Sequence, residues 1–441
     1  LLTAFSKVFE KIILTQLVKH FSDNDLLFGS QYGFREGHST ELAVGELTDR
    51  IIRDMDDNKI SLNVFIDLSK AFDCLNHHIL LDKLSYYGLS DLAISLMSSY
   101  LSDRQQYVQF EDLKSDHLPI KTGVPQGSIL GPFLFLIYMN DFSLASSYFS
   151  MINYADDTAL SVSVGSSLTS SDNIIAELGN ISQWLATNKL CINERKSKAM
   201  FFHPHQKTFI APAIYINNVE IECVEEFNYL GLILHKHLSW APHIRFISGK
   251  ITRTLGIMNR IKNFIPSAAL KTIYDSLIAS RIHYGILIWG SNYHSIYKLQ
   301  KKAVRIISKS KKNAHSSPLF RKFNLLKITD MRKMNELVFY YKFCRDKLPS
   351  YFRTNFISFH TQYHVHDTRH RHLLIPPRIR HEFVRKSLRY TLVSTINNAP
   401  ESIISKIFTH SIKGFCLYIK KLLIETYSLQ CNTVNCYVCS R

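Results

Sequence analysis

The chain has 441 residues, 46% of them hydrophobic and 20% charged, with only 16 glycines; this composition excludes a disordered or fibrous protein and suits two or three domains. Its longest apolar run, residues 129–139, is broken by Gly131 and Pro132 and falls far short of the roughly 20 residues of a membrane span, so no membrane partner is expected. The net charge of +17 conceals an asymmetry: residues 1–240 carry 18 basic and 28 acidic side chains, a balance of −10, and residues 241–441 carry 35 and 8, a balance of +27. So lopsided a distribution points to a polyanion as partner of the C-terminal half, without separating DNA from RNA or from an anionic membrane.

In chain order, Phe5, Val8, Phe9, Ile12, Ile13 and Leu17 recur at helical spacing. The chain opens on Leu1 inside that pattern, with no signal peptide, and reads as a fragment. "SLNVFIDL" (61–68) alternates like a strand, with Val64 and Ile66 on one face and Phe65 and Asp67 on the other. Residues 77–101 predict two helices separated at "YGLS", where Gly88 ends the first and Ser90 caps the second. "QQYVQF" (105–110) and "HLPIKTG" (117–123) have strand character. "GSILGPFLFLIYMNDF" predicts a buried helix opened by Ser128, with Pro132 tolerated in its first turn.

A hairpin carrying Asp156 and Asp157 follows, and then an amphipathic helix with Ile174, Ile175, Leu178, Ile181, Trp184 and Leu185 at helical spacing. Short strands lead to "FNYLGLIL" (227–234). From about residue 241 the sequence turns helical and basic, which sets the main domain boundary near 240. The β-α-β-α-β order of the first half is that of an α+β fold with a split βαβ sheet. Five cysteines (Cys74, Cys191, Cys223, Cys344, Cys416) stand singly, as in a reducing compartment. Cys431, Cys436 and Cys439 offer three thiolates to zinc, but no fourth ligand lies nearby, and free thiols in a tail are the plainer reading.

Adjacent aspartates suit a strand poorly, because one of the two must face the covered side of the sheet. One reading of Asp156 and Asp157 is simply a turn. The other brings Asp67 beside them, since the strands ending in these acids can be neighbours in a split βαβ sheet. Three gathered carboxylates repel one another unless divalent cations sit among them. Hard cations such as Mg²⁺ favour oxygen ligands, and a pair of them clamps the oxygens of an in-line phosphoryl transfer.

"FIDLSKAFD" (65–73), "GVPQGSILGP" (123–132) and "YADD" (154–157), in that order, resemble the palm motifs of reverse transcriptases. "SQYGFREGHST" (30–40) resembles the fingers motif of that family, "LCINERKSKAM" (190–200) its lysine-bearing palm segment, and "FNYLGLIL" its primer-grip hairpin. "ASRIHYGILIWG" followed by "LQKKAVRIIS" is similar to the thumb of jockey-like non-LTR (LINE-type) retrotransposon polymerases. The resemblance covers about residues 1–310. It implies a right-hand polymerase: partial fingers and palm over 1–240, a helical thumb over 241–315, and a mostly helical basic region of unknown role over 316–441.

By position, the resemblance makes Asp67, Asp156 and Asp157 the catalytic, metal-binding acids, with the Leu68 carbonyl as a further ligand to two Mg²⁺, or Mn²⁺ in their place. Phe72 stands at the steric gate that excludes a ribose 2′-hydroxyl. Gln126 and Gly127 would meet the incoming nucleotide, Arg35 its triphosphate, and Lys196 the leaving pyrophosphate. Tyr229, Leu230 and Gly231 would hold the primer. In "KKAVRIISKSKK", Lys301, Lys302, Arg305 and Lys309 are expected to face solvent and nucleic acid. Asp73 and Asp141 are read as structural. The implied partners are an RNA template, a DNA primer and a dNTP, in an intracellular, nuclear setting. Basic fingers residues, an endonuclease domain and a retroviral-type RNase H are not found. A group II intron maturase fits the thumb less well, and the alternative from a different class is a catalytically silent nucleic-acid-binding remnant of a mobile element.

Overall fold

β-branched and aromatic residues crowd the stretch after Asn58, and in the computed structural model they form the centre of a six-stranded sheet. The structure describes residues 3–165, 171–207, 209–358 and 373–428. The chain divides into two compact units, Leu1–Ala43 with Asn58–Glu225, and Val44–Asp57 with Glu226–Arg441. No described helix is long and apolar enough to cross a membrane.

In the first unit, α1 (Ala4–Asp23) and the start of α2 (Thr40–Asp56) precede β1 (Ile60–Ile66). Then come α3 (His77–Tyr86), α4 (Asp91–Leu101) and four two-residue strands, β2 (Gln105–Gln106), β3 (Gln109–Phe110), β4 (Leu113–Lys114) and β5 (Leu118–Pro119). α5 (Gly131–Met139) leads to β6 (Ser150–Tyr154), β7 (Asp157–Val164), α6 (Ser171–Thr187), β8 (Lys198–Phe202), β9 (Ile214–Ile216) and β10 (Val219–Cys223). The sheet order is β6-β7-β1-β8-β10-β9, antiparallel except between β8 and β10.

Register fixes the faces. Val64 lies opposite Leu160, and Phe65 opposite Ala159. Leu62, Val64 and Ile66 join Leu160 and Val162 in a core shared with α5 and with Ile174, Leu178, Ile181 and Leu185 of α6. In α5, Leu134, Phe135, Leu136, Ile137 and Tyr138 are all fully buried, which is why this helix shows no polar face. Each such side chain contributes about 1.5–3 kcal/mol relative to exposure. β1 is buried on both faces.

Local signals account for the connections. Gly88 takes φ 84°, and the Ser90 hydroxyl accepts from the Ala93 N–H to start α4. Ser128 acts one turn later than expected: its Oγ accepts from the Gly131 N–H at 2.8 Å, and the helix begins there. The 105–123 stretch does not form long strands. Its pairs span two residues each, and Val108, Phe110, Leu113 and Leu118 remain exposed because no apolar layer covers them. α1 forms as expected but buries Glu10, Ile13, Leu17 and Phe21, leaving Phe5, Val8, Phe9 and Ile12 exposed.

The second unit opens with the hairpin β11 (Glu226–Tyr229) and β12 (Leu232–His235) and continues as helices, the longest being Ala241–Ile261. Its segment of α2 is tied to residues far along the chain. Asp49 receives both Nε and Nη2 of Arg389, at 3.0 and 2.7 Å, and the Tyr351 hydroxyl at 2.7 Å. Asp56 accepts the backbone N–H groups of Arg380 and His381. These charge-assisted bonds bind much of the region after residue 316 into one unit with the helix.

Candidate active site

Tyr154 and Asp157 are the last paired residues of the β6–β7 hairpin, so Ala155 and Asp156 form its two-residue turn. Ala155 adopts φ 56°, the left-handed conformation that tight hairpin turns demand. Thr158 of β7 stands opposite Ile66 of β1. The next position outward on the two strands brings Asp157 and Asp67 to the same end of the sheet.

Asp156 and Asp157 both feel the charge of Asp67. Burial, and then the charge of Asp67, raise the Asp156 carboxyl above its ordinary range. Burial together with Asp156 and Asp67 pushes Asp157 up to about 6. The Nζ of Lys196 lies 3.9 Å from Asp67 Oδ2 and supplies a counter-charge, though this lysine is largely exposed and the pair is correspondingly weak. The backbone of Asp67 is held on both sides: its N–H donates to Ser197 Oγ at 3.2 Å, and its carbonyl accepts from the Asn193 N–H at 2.8 Å. Leu68 follows in a bridge with Ile192, its side chain buried.

All-oxygen donors with raised carboxyls are a donor set suited to a hard divalent cation. The side chains are near without meeting as a finished ligand set: among the described residues, no three His, Cys, Asp or Glu side chains do so. The C-terminal Cys431, Cys436 and Cys439 lie outside the described residues.

Around the acids, Phe72 sits in the 3₁₀ turn Ala71–Asp73, half-buried, its ring stacked on Phe135 at 4.4 Å. The stack fixes one face of the ring against a helix that is itself immobilised by burial. The exposed Gln126 donates from Nε2 to Asp73 Oδ1 at 3.4 Å. Gly127 has φ 79°, and a Cβ there would meet nothing within 4 Å, so backbone conformation rather than crowding requires glycine. Arg35 is held by the loop itself: its Nη1 donates to the carbonyls of Phe28 at 2.6 Å and Gln31 at 3.2 Å, and burial lowers its pKa.

Glu10 is not marked out by the sequence. Glu10 is 2% exposed, and its carboxylate accepts the N–H groups of Ile129 and Leu130, at 2.5 and 3.4 Å, and the Tyr100 hydroxyl at 3.1 Å. It anchors the exit of the "VPQGS" loop into α5. The available signal was an acid sharing the 10, 13, 17, 21 stripe with Ile13, Leu17 and Phe21.

Comparison with known proteins decides the family. Residues 1–234 match the family model described as reverse transcriptase (RNA-dependent DNA polymerase). The chain belongs to the reverse transcriptase family. Among curated relatives it is 30% identical over 346 residues to the "Probable RNA-directed DNA polymerase from transposon BS" of Drosophila melanogaster, covering 74% of this chain and 37% of that protein. It is 27% identical over 322 residues to the RNA-directed DNA polymerase from mobile element jockey of the same organism, covering 70% and 35%. It is thus a jockey-like, non-LTR type of reverse transcriptase sequence, spanning little more than a third of those relatives' length. Among solved structures, apo telomerase from Candida tropicalis aligns with a TM-score of 0.42 at 15% identity, over 74% of this chain and 54% of that one.

In the second unit of this reverse transcriptase chain, Tyr229 is buried at the end of β11, and Leu230 and Gly231 form the hairpin turn, both with positive φ. The Tyr284 hydroxyl donates to the Leu230 carbonyl and holds that turn. The basic helix His294–Ile307 corrects one expectation. Lys301 does not face solvent: it is 8% exposed, with its ammonium 4.7 Å from the Tyr297 ring centre. It falls on the stripe of Tyr297 and Val304, so helical phase overrides its charge. Arg305 is half-buried and donates from Nε to the Ala314 carbonyl at 2.7 Å. Lys302 and Lys309 are exposed.

Proposed function

We propose that this chain carries the polymerising centre of a non-LTR retrotransposon reverse transcriptase and extends a DNA primer on an RNA template by two-metal nucleotidyl transfer. The observation that carries the reading is the pairing of β1 with β7, which delivers Asp67 and Asp157 to one end of the sheet beside Asp156. In this reading Asp67, Asp156, Asp157 and the Leu68 carbonyl would hold two Mg²⁺, which would supply Lewis-acid activation of a primer 3′-hydroxyl and charge neutralisation at the leaving pyrophosphate.

The chain's own residues do the rest. Phe72, backed by Phe135, fills the space that a ribose 2′-hydroxyl needs and so favours dNTP over rNTP. Gln126 and the open backbone at Gly127 receive the base pair of template and incoming nucleotide. Lys196 is poised at the Asp67 side to donate a proton or charge to the leaving group. Arg35 braces the loop that precedes the site and reaches the triphosphate with whatever donors its two carbonyl bonds leave free. In the second unit, Tyr229, Leu230 and Gly231 guide the primer, residues 241–315 act as thumb, and the exposed Lys302 and Lys309 grip phosphates. Such transfers are accelerated chiefly by positioning and charge neutralisation. If the chain acts on chromosomal DNA, as the family resemblance implies, its setting is the nucleus.

The test is primer extension on an RNA template by purified chain, with and without Mg²⁺. Mg²⁺-dependent extension supports the reading. Binding of primer–template without any extension would leave a nucleic-acid-binding remnant.

A further inference from the structure

The turn that bears Asp156 has a backbone problem that the hairpin cannot solve. In a two-residue turn the N–H of the first turn residue points away from the ladder, and here that residue, Ala155, is buried. An unpaired buried N–H costs about as much as a lost hydrogen bond. Ala155 also holds a left-handed conformation without being glycine. Something outside the hairpin has to hold it.

Gln31 does so. It is 3% exposed, and its Oε1 accepts from the Ala155 N–H at 3.1 Å and from the Gly33 N–H at 2.8 Å. Its backbone is stitched to the same hairpin: Gln31 bridges Asn153 in parallel, the Tyr32 N–H donates to the Asn153 carbonyl at 2.7 Å, and the Asn153 N–H donates to the Ser30 carbonyl at 2.9 Å. Gly33 lets the two segments close. A Cβ there would lie 2.5 Å from the Ala155 nitrogen, so any larger residue would push the turn away. On the other side, Arg35 Nη1 donates to the Gln31 carbonyl.

We propose that Gln31 is a positioning residue for the Asp156–Asp157 turn: its side-chain carbonyl clamps the Ala155 N–H and so sets where the two carboxylates stand. The proposal rests on the polymerase reading for its kinetic consequence but not for its structural one. Gln31 touches no reacting atom and acts through Ala155. Two adjacent like charges on a strained turn tend to open it, and a fixed acceptor behind the turn opposes that. The same residue links the turn to the Arg35 loop, so the two are expected to move together.

The test replaces Gln31 by Met, which keeps length and volume but removes the acceptor, and by Glu, which keeps an acceptor oxygen. Amide hydrogen exchange is followed in residues 149–160 of the full chain without metal, and nucleotide incorporation is followed per active site. Gln31→Met is expected to speed exchange in the turn by about tenfold, the equivalent of one net hydrogen bond, with β1 unchanged. Incorporation per active site should fall by roughly a hundredfold, as for an ångström-scale misplacement, with KM for dNTP within about threefold. Gln31→Glu should keep the turn's protection nearer to the parent's. Parent-like turn exchange in Gln31→Met overturns the proposal. Should that variant not fold, turn exchange in Gln31→Glu as fast as in an unprotected loop overturns it instead. A parent chain that extends no primer defeats the polymerase reading, while the exchange arm still decides the role of Gln31.

Discussion

The sheet end of the first unit and the basic helices of the second both concentrate charge, but in opposite ways. In the first unit, carboxylates of one sign converge on a rigid sheet, where burial and then neighbouring charge push Asp156 and Asp157 upward. In the second, residues 241–441 carry 35 basic side chains, many of those in the described residues lie on helices, and some are drawn into packing, as Lys301 is against Tyr297. Convergent like charge on a rigid frame marks a site that needs counter-ions. Dispersed like charge marks a surface, and which of its members act depends on helical phase.

The largest expected effect breaks the comparison at the sheet. Asp156→Asn should reduce primer extension at least ~10³-fold, in line with the loss of a transition-state charge stabiliser, while leaving the sheet folded. Extension within tenfold of the parent would remove the triad from the account.

The two units should also differ in the sign of their pH response. Burial pushes His243 down to about 4; its Nδ1 accepts from the Ile233 N–H, and its Nε2 has no partner among the described residues. The unfolded chain takes up this proton below about pH 6.5 and the folded chain only near 4. Stability of the second unit is therefore full above 6.5 and declines as pH falls towards 4, by at most about 3 kcal/mol. Asp157, raised to about 6, runs the other way: its cost to the first unit appears as pH rises through that value. Urea unfolding read by Trp240 and Trp289 fluorescence at pH 7 and 4.5 checks the histidine. A His243→Gln chain with the parent's full pH slope would refute it.

Phe72→Ala sharpens the picture of the sheet end as a selective site. The ratio of rNTP to dNTP use in competition should rise at least about tenfold, as expected when a pocket loses a wall of more than one methylene. An unchanged ratio returns Phe72 to the core beside Phe135.

The smallest effect concerns the basic helices. Replacing Lys302 and Lys309 by Gln should flatten the slope of log K against log salt for a primer–template duplex by about two units. Lys301→Gln should lower thermal stability and leave the slope nearly alone. Equal slope changes from Lys301 and Lys302 would show that burial does not sort these lysines.

Much of the first unit was legible because its informative residues break local rules. Aspartates in a strand, a glycine before a helix and a proline in its first turn each have few structural excuses, so β1, the β6–β7 hairpin, α5 and the Gly88–Ser90 break could be read from spacing. The 105–123 stretch misled because two-residue pairing and long strands share one alternating pattern, and only a covering layer tells them apart. Glu10 and Gln31 stayed hidden because each bonds to backbone more than a hundred residues away, which no local pattern records. Lys301 was misread for a simpler reason: lysine's long stem lets it pack within an apolar stripe.

The central claim is that two neighbouring strands gather three carboxylates to hold divalent cations. Its most direct test is a Mn²⁺ titration of the full chain, bound to a chain-terminated primer on RNA and a matching dNTP, read by electron paramagnetic resonance. The account predicts saturable binding of two ions by the parent and loss of at least one in Asp156→Asn. Identical binding curves for the parent and the variant would contradict it.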